Sequence, residues 1–491
     1  MKENVKEKTG YTVLFVCTAI VLLLFASSST SPVYHIFYGD YYNNQTSMGF
    51  LIGKGLLQGY TPYVDLFGTS GPLYYLIQAV GWFGAERTGI FILQIVHFTA
   101  FLLLIFSIMK KFTGKRMAVS STLFTIIPYL AMASGGNSDS EWCITLIASA
   151  IYIILEELDR DQMRMRSCFL LGVLSGAMFM ICFRASGAAL GILLFLWGYL
   201  LFQKRGGRFW PKMLCSFAGI AVVAVPFVLF FAARRGVSDF IQGYIIYNTR
   251  ELLVGSESMN LILRKAVKCI AVWFLLAVGI LYILKSDRRR GILFICMSCP
   301  ALIVLMLGQG YWYYYILVLA FWPLAIAAVI SVMKGIFRTA AAVGMFCCLA
   351  GVCVIPAKAF VTYVLTTDVT NIQILAEDLE LNMEKNQITQ VFVVGKPASI
   401  YLQLDKMPGY KYFANQLEMI EVDESIYDGI QRYLQNEYQD GILLYGTNGW
   451  LSEWIGPYQL VDYYYYDHTV VGVYLYNLEN MPEEEEHDHE G

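Results

Sequence analysis

Charge is scarce in this chain. Only 15% of its 491 residues are Asp, Glu, Lys or Arg, against 57% hydrophobic, and the net charge is −3. Together with a mean hydropathy of +0.53, that excludes the soluble globular class and predicts a polytopic membrane protein. No basic array with interleaved aromatics is present, so nucleic acid is not an expected partner. The 11 cysteines all fall in apolar runs, and no disulfide framework is implied. No internal repeat and no metal-ligand spacing are found.

What is abundant is apolar sequence in continuous runs, which in lipid means helices, because only helices or closed barrels satisfy their own backbone there. Hydropathy places about eleven spans. They lie near 11–29, 88–109, 117–134, 142–158, 167–184, 187–203, 213–233, 267–284, 291–308, 314–332 and 339–356. Basic residues collect in every second loop, at Lys2, Lys6 and Lys8, at Lys110, Lys111, Lys115 and Arg116, at Arg160, Arg164 and Arg166, and again at Lys204 to Lys212, Lys285 to Arg290 and Lys334 to Arg338. The positive-inside rule then puts the N-terminus in the cytoplasm and, after an odd number of spans, the C-terminal segment outside. The first run is longer than a typical signal-peptide core despite the small residues Ala26-Ser27-Ser28-Ser29, so an uncleaved anchor is expected.

From 357 to 481 the composition becomes that of a soluble domain. Short apolar runs at Val391–Gly395, Gly441–Tyr445 and Val470–Tyr476 alternate with polar helical stretches at 371–386 and 424–438, a small exterior α/β domain. The chain therefore reads as a helical transmembrane domain over 1–356 with a large first outer loop at 30–87, the α/β domain, and an acidic solvated tail over 482–491. The absence of exterior cysteine beside an Asn44-Gln45-Thr46 sequon fits a bacterial cell surface.

Chemistry-bearing residues concentrate in the outer loops. Asp40 sits early in the first, which continues through Tyr63 and Asp65 to Ser70-Gly71-Pro72-Leu73-Tyr74-Tyr75 and is larger than a simple turn requires. Arg184 stands mid-way through an almost wholly apolar stretch that makes two crossings; an Arg there costs about 2.5 to 3.5 kcal/mol unless it faces a polar cavity or an anion, or snorkels to the interface. The loop 234–266 breaks the charge rule with Arg234, Arg235, Arg250, Arg264 and Lys265. Basic residues kept on that side suit either a lipid-linked phosphate, which Arg grips bidentately, or anionic headgroups. Asp139 and Glu141 follow a Gly-Gly turn and are either site carboxylates or the start of the next helix. Tyr311 lies in Gln309-Gly310-Tyr311-Trp312-Tyr313-Tyr314-Tyr315, an interfacial aromatic belt or a stacking surface for a sugar or isoprenoid.

These residues carry a resemblance. One span to the outside, a large first loop with an early Asp, the segments Gly59-Tyr60-Thr61-Pro62-Tyr63-Val64-Asp65 and Ser70-Gly71-Pro72-Leu73-Tyr74-Tyr75, and a later Gly-rich hairpin with a central basic residue resemble the GT-C membrane glycosyltransferases. The similar branch is that of protein O-mannosyltransferases, lipid A aminoarabinose transferases and rhizobial galacturonosyltransferases. Three departures stand out: Asp40 is followed by Tyr41 instead of Glu, Ser70-Gly71-Pro72-Leu73 lacks the usual Lys, and Arg184 replaces the hairpin Lys.

The resemblance implies transfer of a sugar from a polyprenyl-phosphate donor to a glycan, lipid or protein acceptor on the exterior face of the cell membrane, with inversion. Asp40 would be the general base, a role worth about 10² to 10⁴-fold. Arg184 and Arg250, Arg264 or Lys265 would hold the departing phosphate. Asp65 would bind sugar hydroxyls or support the loop, Glu141 would position the acceptor, and Tyr63 and Tyr311 would line the sugar or acceptor site. No cofactor is firmly implied; a divalent cation would find oxygen ligands only where carboxylates converge. Two rival readings are a flippase for a lipid-linked saccharide, for which mid-span charges and pseudo-symmetry are missing, and a membrane protein whose exterior domain only binds glycans.

Overall fold

A computed structural model describes residues 2–34, 44–202, 209–254, 270–307, 312–323, 351, 353–361, 371–385, 391–394, 398–436, 441–445, 458–466 and 469–476. Asp40, Arg264, Lys265, Tyr311, the acidic tail, the second part of the predicted span 314–332 from 324 on and most of the predicted span 339–356 lie outside the described residues. The chain forms two compact units: Met1–Pro62 with Gly68–Thr367, and Tyr63–Phe67 with Asp368–Gly491. The sequence boundary near 357 falls eleven residues short of this division and does not anticipate the transfer of five first-loop residues to the second unit.

The first unit is helical. Its elements are α1 (Lys2–Ala26), α2 (Asn44–Leu57), α3 (Pro72–Met109), α4 (Lys115–Phe124), α5 (Ile126–Met132), α6 (Asp139–Asp159), α7 (Met165–Ile181), α8 (Ser186–Phe202), α9 (Phe209–Ala233), α10 (Val237–Phe240), α11 (Tyr247–Val254), α12 (Ile270–Ser286), α13 (Arg288–Met306) and α14 (Val354–Phe360). A 3-10 turn, Phe183–Ala185, joins α7 to α8; a π-helical stretch, Ile241–Ile246, joins α10 to α11; Trp312–Phe321 is a 3-10 helix. Among the described residues, five helical segments are long and apolar enough to cross a membrane: Thr9–Ala26, Arg87–Met109, Phe183–Phe202, Phe209–Ala233 and Arg288–Met306.

Three expectations are refined. The first outer loop is partly helical: α2 occupies its middle, and α3 starts at Pro72, where a ring-fixed φ and a missing N–H suit a first helical position. The predicted span 117–134 is two helices that meet at Thr125, three residues before Pro128. The loop 234–266 is helical from 237 to 254.

The helices approach through glycine. A Cβ on Gly172 of α7 would lie 2.0 Å from the Ser216 carbonyl of α9, and one on Gly219 of α9 would lie 2.2 Å from the Phe169 carbonyl. Gly187 and Gly191, one turn apart on α8, face Pro300 and Cys296 of α13, where added Cβ atoms would meet carbonyl oxygens at 2.6 and 2.3 Å. Pro300 cannot donate to the Cys296 carbonyl four residues earlier. Close helix contact replaces the hydrophobic drive that lipid does not supply.

The helix α6 organises this unit end to end: its 21 residues span about 30 Å at 1.5 Å per residue. At its C-terminal end the basic loops converge: Lys111 Nζ is 2.6 Å from both Glu156 and Asp159, Arg290 is 2.5 Å from Asp159, Arg289 is 2.5 Å from Asp161, and Arg164 is 2.5 Å from Glu157. Basic residues from three of the alternate loops, those at 110–116, 160–166 and 285–290, are thus gathered at one end.

The second unit holds α15 (Asn371–Lys385), β1 (Val391–Val394), α16 (Ser399–Gln403), α17 (Gln416–Val422), α18 (Ser425–Asn436), β2 (Gly441–Tyr445), β3 (Tyr458–Tyr466) and β4 (Thr469–Tyr476). The sheet order is β1-β2-β4-β3, with β1 parallel to β2 and the other pairs antiparallel. On α18, Ile426, Ile430, Tyr433 and Leu434 are buried at helical spacing, and Tyr433 stacks on Tyr410 at 4.1 Å. The first-loop residues of this unit are tied in by the Phe67 N–H donating to the Lys411 carbonyl at 2.9 Å and by the Phe67 ring against Tyr412.

Candidate functional site

The N-terminal end of α6 is built on an unusual turn. Ser134, Gly135, Gly136 and Asn137 all have positive φ, at 45°, 87°, 80° and 63°. Such a run persists only where its surroundings over-determine it. Here Ser29 Oγ donates to the carbonyls of Gly135 and Gly136 at 2.7 and 3.0 Å, and the small run Ser27–Ser31 is buried throughout. Asn137 is locked by a reciprocal amide pair with Gln78 of α3, at 3.1 and 2.9 Å, and its Oδ1 also accepts from Trp142 Nε1 at 2.9 Å. Ser138 caps α6 by accepting from the Glu141 N–H.

Glu141 is buried and accepts three hydrogen bonds, from the Asn137 N–H at 2.8 Å, Gln94 Nε2 at 3.0 Å and the Tyr129 hydroxyl at 3.3 Å. It closes the turn on itself. Asp139 is also buried, and its Oδ2 accepts from Gln45 Nε2 at 2.9 Å. The same Gln45 nitrogen reaches Ser70 Oγ at 2.8 Å, so a residue of α2, one preceding α3 and one opening α6 meet at a single amide. Both carboxyls precede the predicted span 142–158. Burial pushes them up, Asp139 to about 6 and Glu141 to about 7, against the opposing pull of their hydrogen bonds.

This cluster adjoins the hairpin between α7 and α8. The Gly71 N–H donates to the Ile181 carbonyl at 2.9 Å, and Ser140 Oγ lies 3.7 Å from Cys182 Sγ. Arg184 follows in the 3-10 turn with 2% of its surface exposed. One of its terminal nitrogens donates to the Leu307 carbonyl at 2.9 Å, the other to Glu251 at 2.7 Å, and its guanidinium sits 4.3 Å above the Tyr314 ring. Its Nε has no hydrogen-bond partner among the described residues. Snorkelling is thereby excluded for Arg184: it is held inward by a carboxylate, a carbonyl and an aromatic face.

Of the other expected site residues, Arg250, Asp65 and Tyr63 are described. Arg250 is exposed on α11, next to the Glu251 that Arg184 holds. Asp65 is exposed and Tyr63 buried, and both belong to the second unit, where Tyr63 takes a left-handed φ of 67° and its N–H donates to the Leu66 carbonyl. Asp40, Arg264, Lys265 and Tyr311 are among the residues not described. Sequence reasoning does not single out Gln45, Ser70, Glu251 or Tyr314: Gln45 lies inside a sequon, and Glu251 inside a loop whose basic residues and tyrosines draw the reading. Asn248 joins them, its amide donating to the Thr69 carbonyl at 2.9 Å and to the Tyr244 carbonyl at 2.7 Å. Among the described residues no group of three or more His, Cys, Asp or Glu converges on a metal position.

A long-helix bundle whose first interhelical loop, α6 start and α7–α8 hairpin meet at one end defines a class. The fold is similar to that of solved GT-C membrane proteins. The chain superposes on ArnT from Cupriavidus metallidurans bound to undecaprenyl phosphate with a TM-score of 0.57, at 13% identity, covering 96% of this chain and 99% of that one. The apo state of the same protein gives 0.58 at 13% identity, covering 95% and 98%. The Archaeoglobus fulgidus oligosaccharyltransferase tethered to an acceptor peptide gives 0.48 at 14% identity, covering 96% of this chain and 75% of that one. No curated protein matches the sequence. Residues 5–341 match the family described as putative competence-induced protein Ccs4 N-terminal domain, and the chain belongs to that family.

Proposed function

We propose that the protein is a membrane glycosyltransferase that moves a sugar from a polyprenyl-phosphate donor to a cell-envelope acceptor on the exterior face. The observation that carries the reading is Arg184: a buried guanidinium, with an unused Nε, beside the Ser70–Gln45–Asp139 cluster. A cation kept at such cost in an apolar bundle is suited to an anion that arrives with its own lipid. Support comes from the near-full-length fold match to a protein solved with undecaprenyl phosphate.

In this reaction Asp40 takes the proton from the acceptor hydroxyl as its oxygen bonds to the anomeric carbon. The bond from that carbon to the phosphate oxygen breaks on the opposite face, inverting the centre and releasing polyprenyl phosphate. Arg184, with Arg250, Arg264 and Lys265, offsets the charge that grows on the leaving phosphate. Asp65, Tyr63 and Tyr311 serve the sugar and acceptor. Transfer of labelled sugar from a panel of synthetic polyprenyl-phosphate donors in proteoliposomes tests this. Asp40→Asn is expected to lose about 10² to 10⁴-fold in rate with donor binding intact. Equal transfer by wild type, Asp40→Asn and Arg184→Ala would overturn the reading in favour of a transport or binding role.

A further inference from the structure

Arg184 already has an anion. Glu251 supplies it from α11, through a single contact of 2.7 Å from one terminal nitrogen to one carboxylate oxygen. We propose that Glu251 is a displaceable counter-ion: it neutralises Arg184 when no donor is bound and gives up the guanidinium to the lipid-linked phosphate. This rests on the glycosyltransferase reading of the site.

Four observations lead there. First, a guanidinium with 2% of its side chain exposed cannot stand uncompensated in an apolar bundle, so some carboxylate must hold it while the site is empty. Second, Arg–carboxylate pairs meant to stay tend to be forked, with two parallel N–H bonds; here Nε is left without an acceptor among the described residues, although it is buried. The donor's phosphodiester, with two non-bridging oxygens, can use both that N–H and the nitrogen now given to Glu251. Third, the two partners differ in access: the Glu251 side chain is 11% exposed against 2% for Arg184, so the carboxylate is the partner with a way out.

Fourth, Glu251 rides on an element with the backbone signature of a functional site. The helix α11 is entered through the π-helical turn Ile241–Ile246, a backbone form concentrated at functional sites. One turn before Glu251, Asn248 donates to the Thr69 carbonyl, next to the Ser70 that Gln45 joins to Asp139. Release of Glu251 is therefore felt, through one side-chain amide, at the first loop. The charges require an exchange and not an addition. Phosphate and carboxylate held together on one buried guanidinium would repel at short range in a low dielectric, whereas replacing one by the other keeps the pair near neutral.

The test is equilibrium binding of farnesyl phosphate to the full chain in nanodiscs, for wild type, Glu251→Gln, Glu251→Ala and Arg184→Ala, each shown monodisperse. Glu251→Gln and Glu251→Ala are expected to bind about tenfold tighter than wild type, because the phosphate no longer competes with a carboxylate, and Arg184→Ala about tenfold weaker. A merely structural Glu251 predicts weaker binding in both of its variants. If Arg184→Ala loses binding while both Glu251 variants bind as wild type or worse, the counter-ion proposal fails and Arg184 keeps its phosphate role. If Arg184→Ala binds as well as wild type, or wild type does not bind, the reading of the site fails and this proposal with it.

Discussion

Gly71 and Gly114 form a natural experiment. Both are N-cap glycines with almost the same backbone, φ −74° and ψ 156° at Gly71 before α3, φ −70° and ψ 157° at Gly114 before α4. Neither φ demands glycine, so alanine carries no backbone strain at either position. Their surroundings differ completely. A Cβ on Gly71 would lie 2.1 Å from the Met180 carbonyl oxygen and 2.9 Å from the Ile181 nitrogen, whereas one on Gly114 meets nothing within 4 Å. All the obstructing atoms at Gly71 are backbone at the end of α7, and restoring ordinary contact requires a shift of roughly 1 Å. Overpacking of this kind costs about 1 to 3 kcal/mol. The same shift stretches the 2.9 Å bond from the Gly71 N–H to the Ile181 carbonyl, about 0.5 to 1.5 kcal/mol more. Gly71→Ala is thus expected to lose about 1.5 to 4.5 kcal/mol on top of the weaker N-cap, which costs roughly 0.5 to 1 kcal/mol and is all that Gly114→Ala loses. Because the shift would separate Ser70 and Asp139 from the Arg184 hairpin, farnesyl phosphate binding should fall with stability in the Gly71 variant only. Thermal unfolding in nanodiscs, read beside binding, checks both. Equal midpoints and equal binding for the two variants would refute the close approach and the account of how the hairpin is held.

Removing the Glu141 carboxylate as Glu141→Ala strands the Asn137 N–H, the Gln94 amide and the Tyr129 hydroxyl, about 1 to 3 kcal/mol each, which outweighs relief of the buried charge. The expected outcome is a lower thermal midpoint with an unchanged KM for acceptor; a raised KM at an unchanged midpoint would restore the acceptor-positioning role. Burial pushes Asp139 up to about 6, so its carboxylate forms as pH rises through that value. Transfer should rise across the same range, and Asp139→Asn should flatten that limb; superimposable pH profiles would rule Asp139 out of the site. On α8, Gly191→Leu should abolish folded, monodisperse protein, since its Cβ would be 2.3 Å from the Cys296 carbonyl, whereas Gly198→Leu, with nothing within 4 Å, should be tolerated. Size-exclusion profiles of the two decide it.

Much of the architecture was legible in the sequence. Continuous apolar runs marked α1, α9 and α13, whose cores lie within the predicted limits, because length and apolarity in lipid leave little choice but helix. The strands Val391–Val394, Gly441–Tyr445 and Thr469–Tyr476 and the helix Ser425–Asn436 lie within a residue or two of expectation. The strand Tyr458–Tyr466 was missed, since a run of tyrosines has no polar alternation to declare it. The hairpin at Arg184 was expected from a lone charge in apolar sequence, and it is there. The carboxylate that answers it was not, since 67 residues separate Glu251 from Arg184 and nothing local couples them.

Composition and periodicity by themselves determined that this is a helical membrane chain with a separate α/β unit, because those properties act residue by residue against lipid or water. Which polar residues meet was decided only by the tertiary structure. Glycine contacts bring α7, α8, α9 and α13 close, and the left-handed turn at 134–137 is held by Ser29, from the turn that follows α1. Pairings such as Gln45 with Asp139 and Arg184 with Glu251 cost buried polar surface unless they are made, so the packed bundle selects them, and no window of sequence contains both partners.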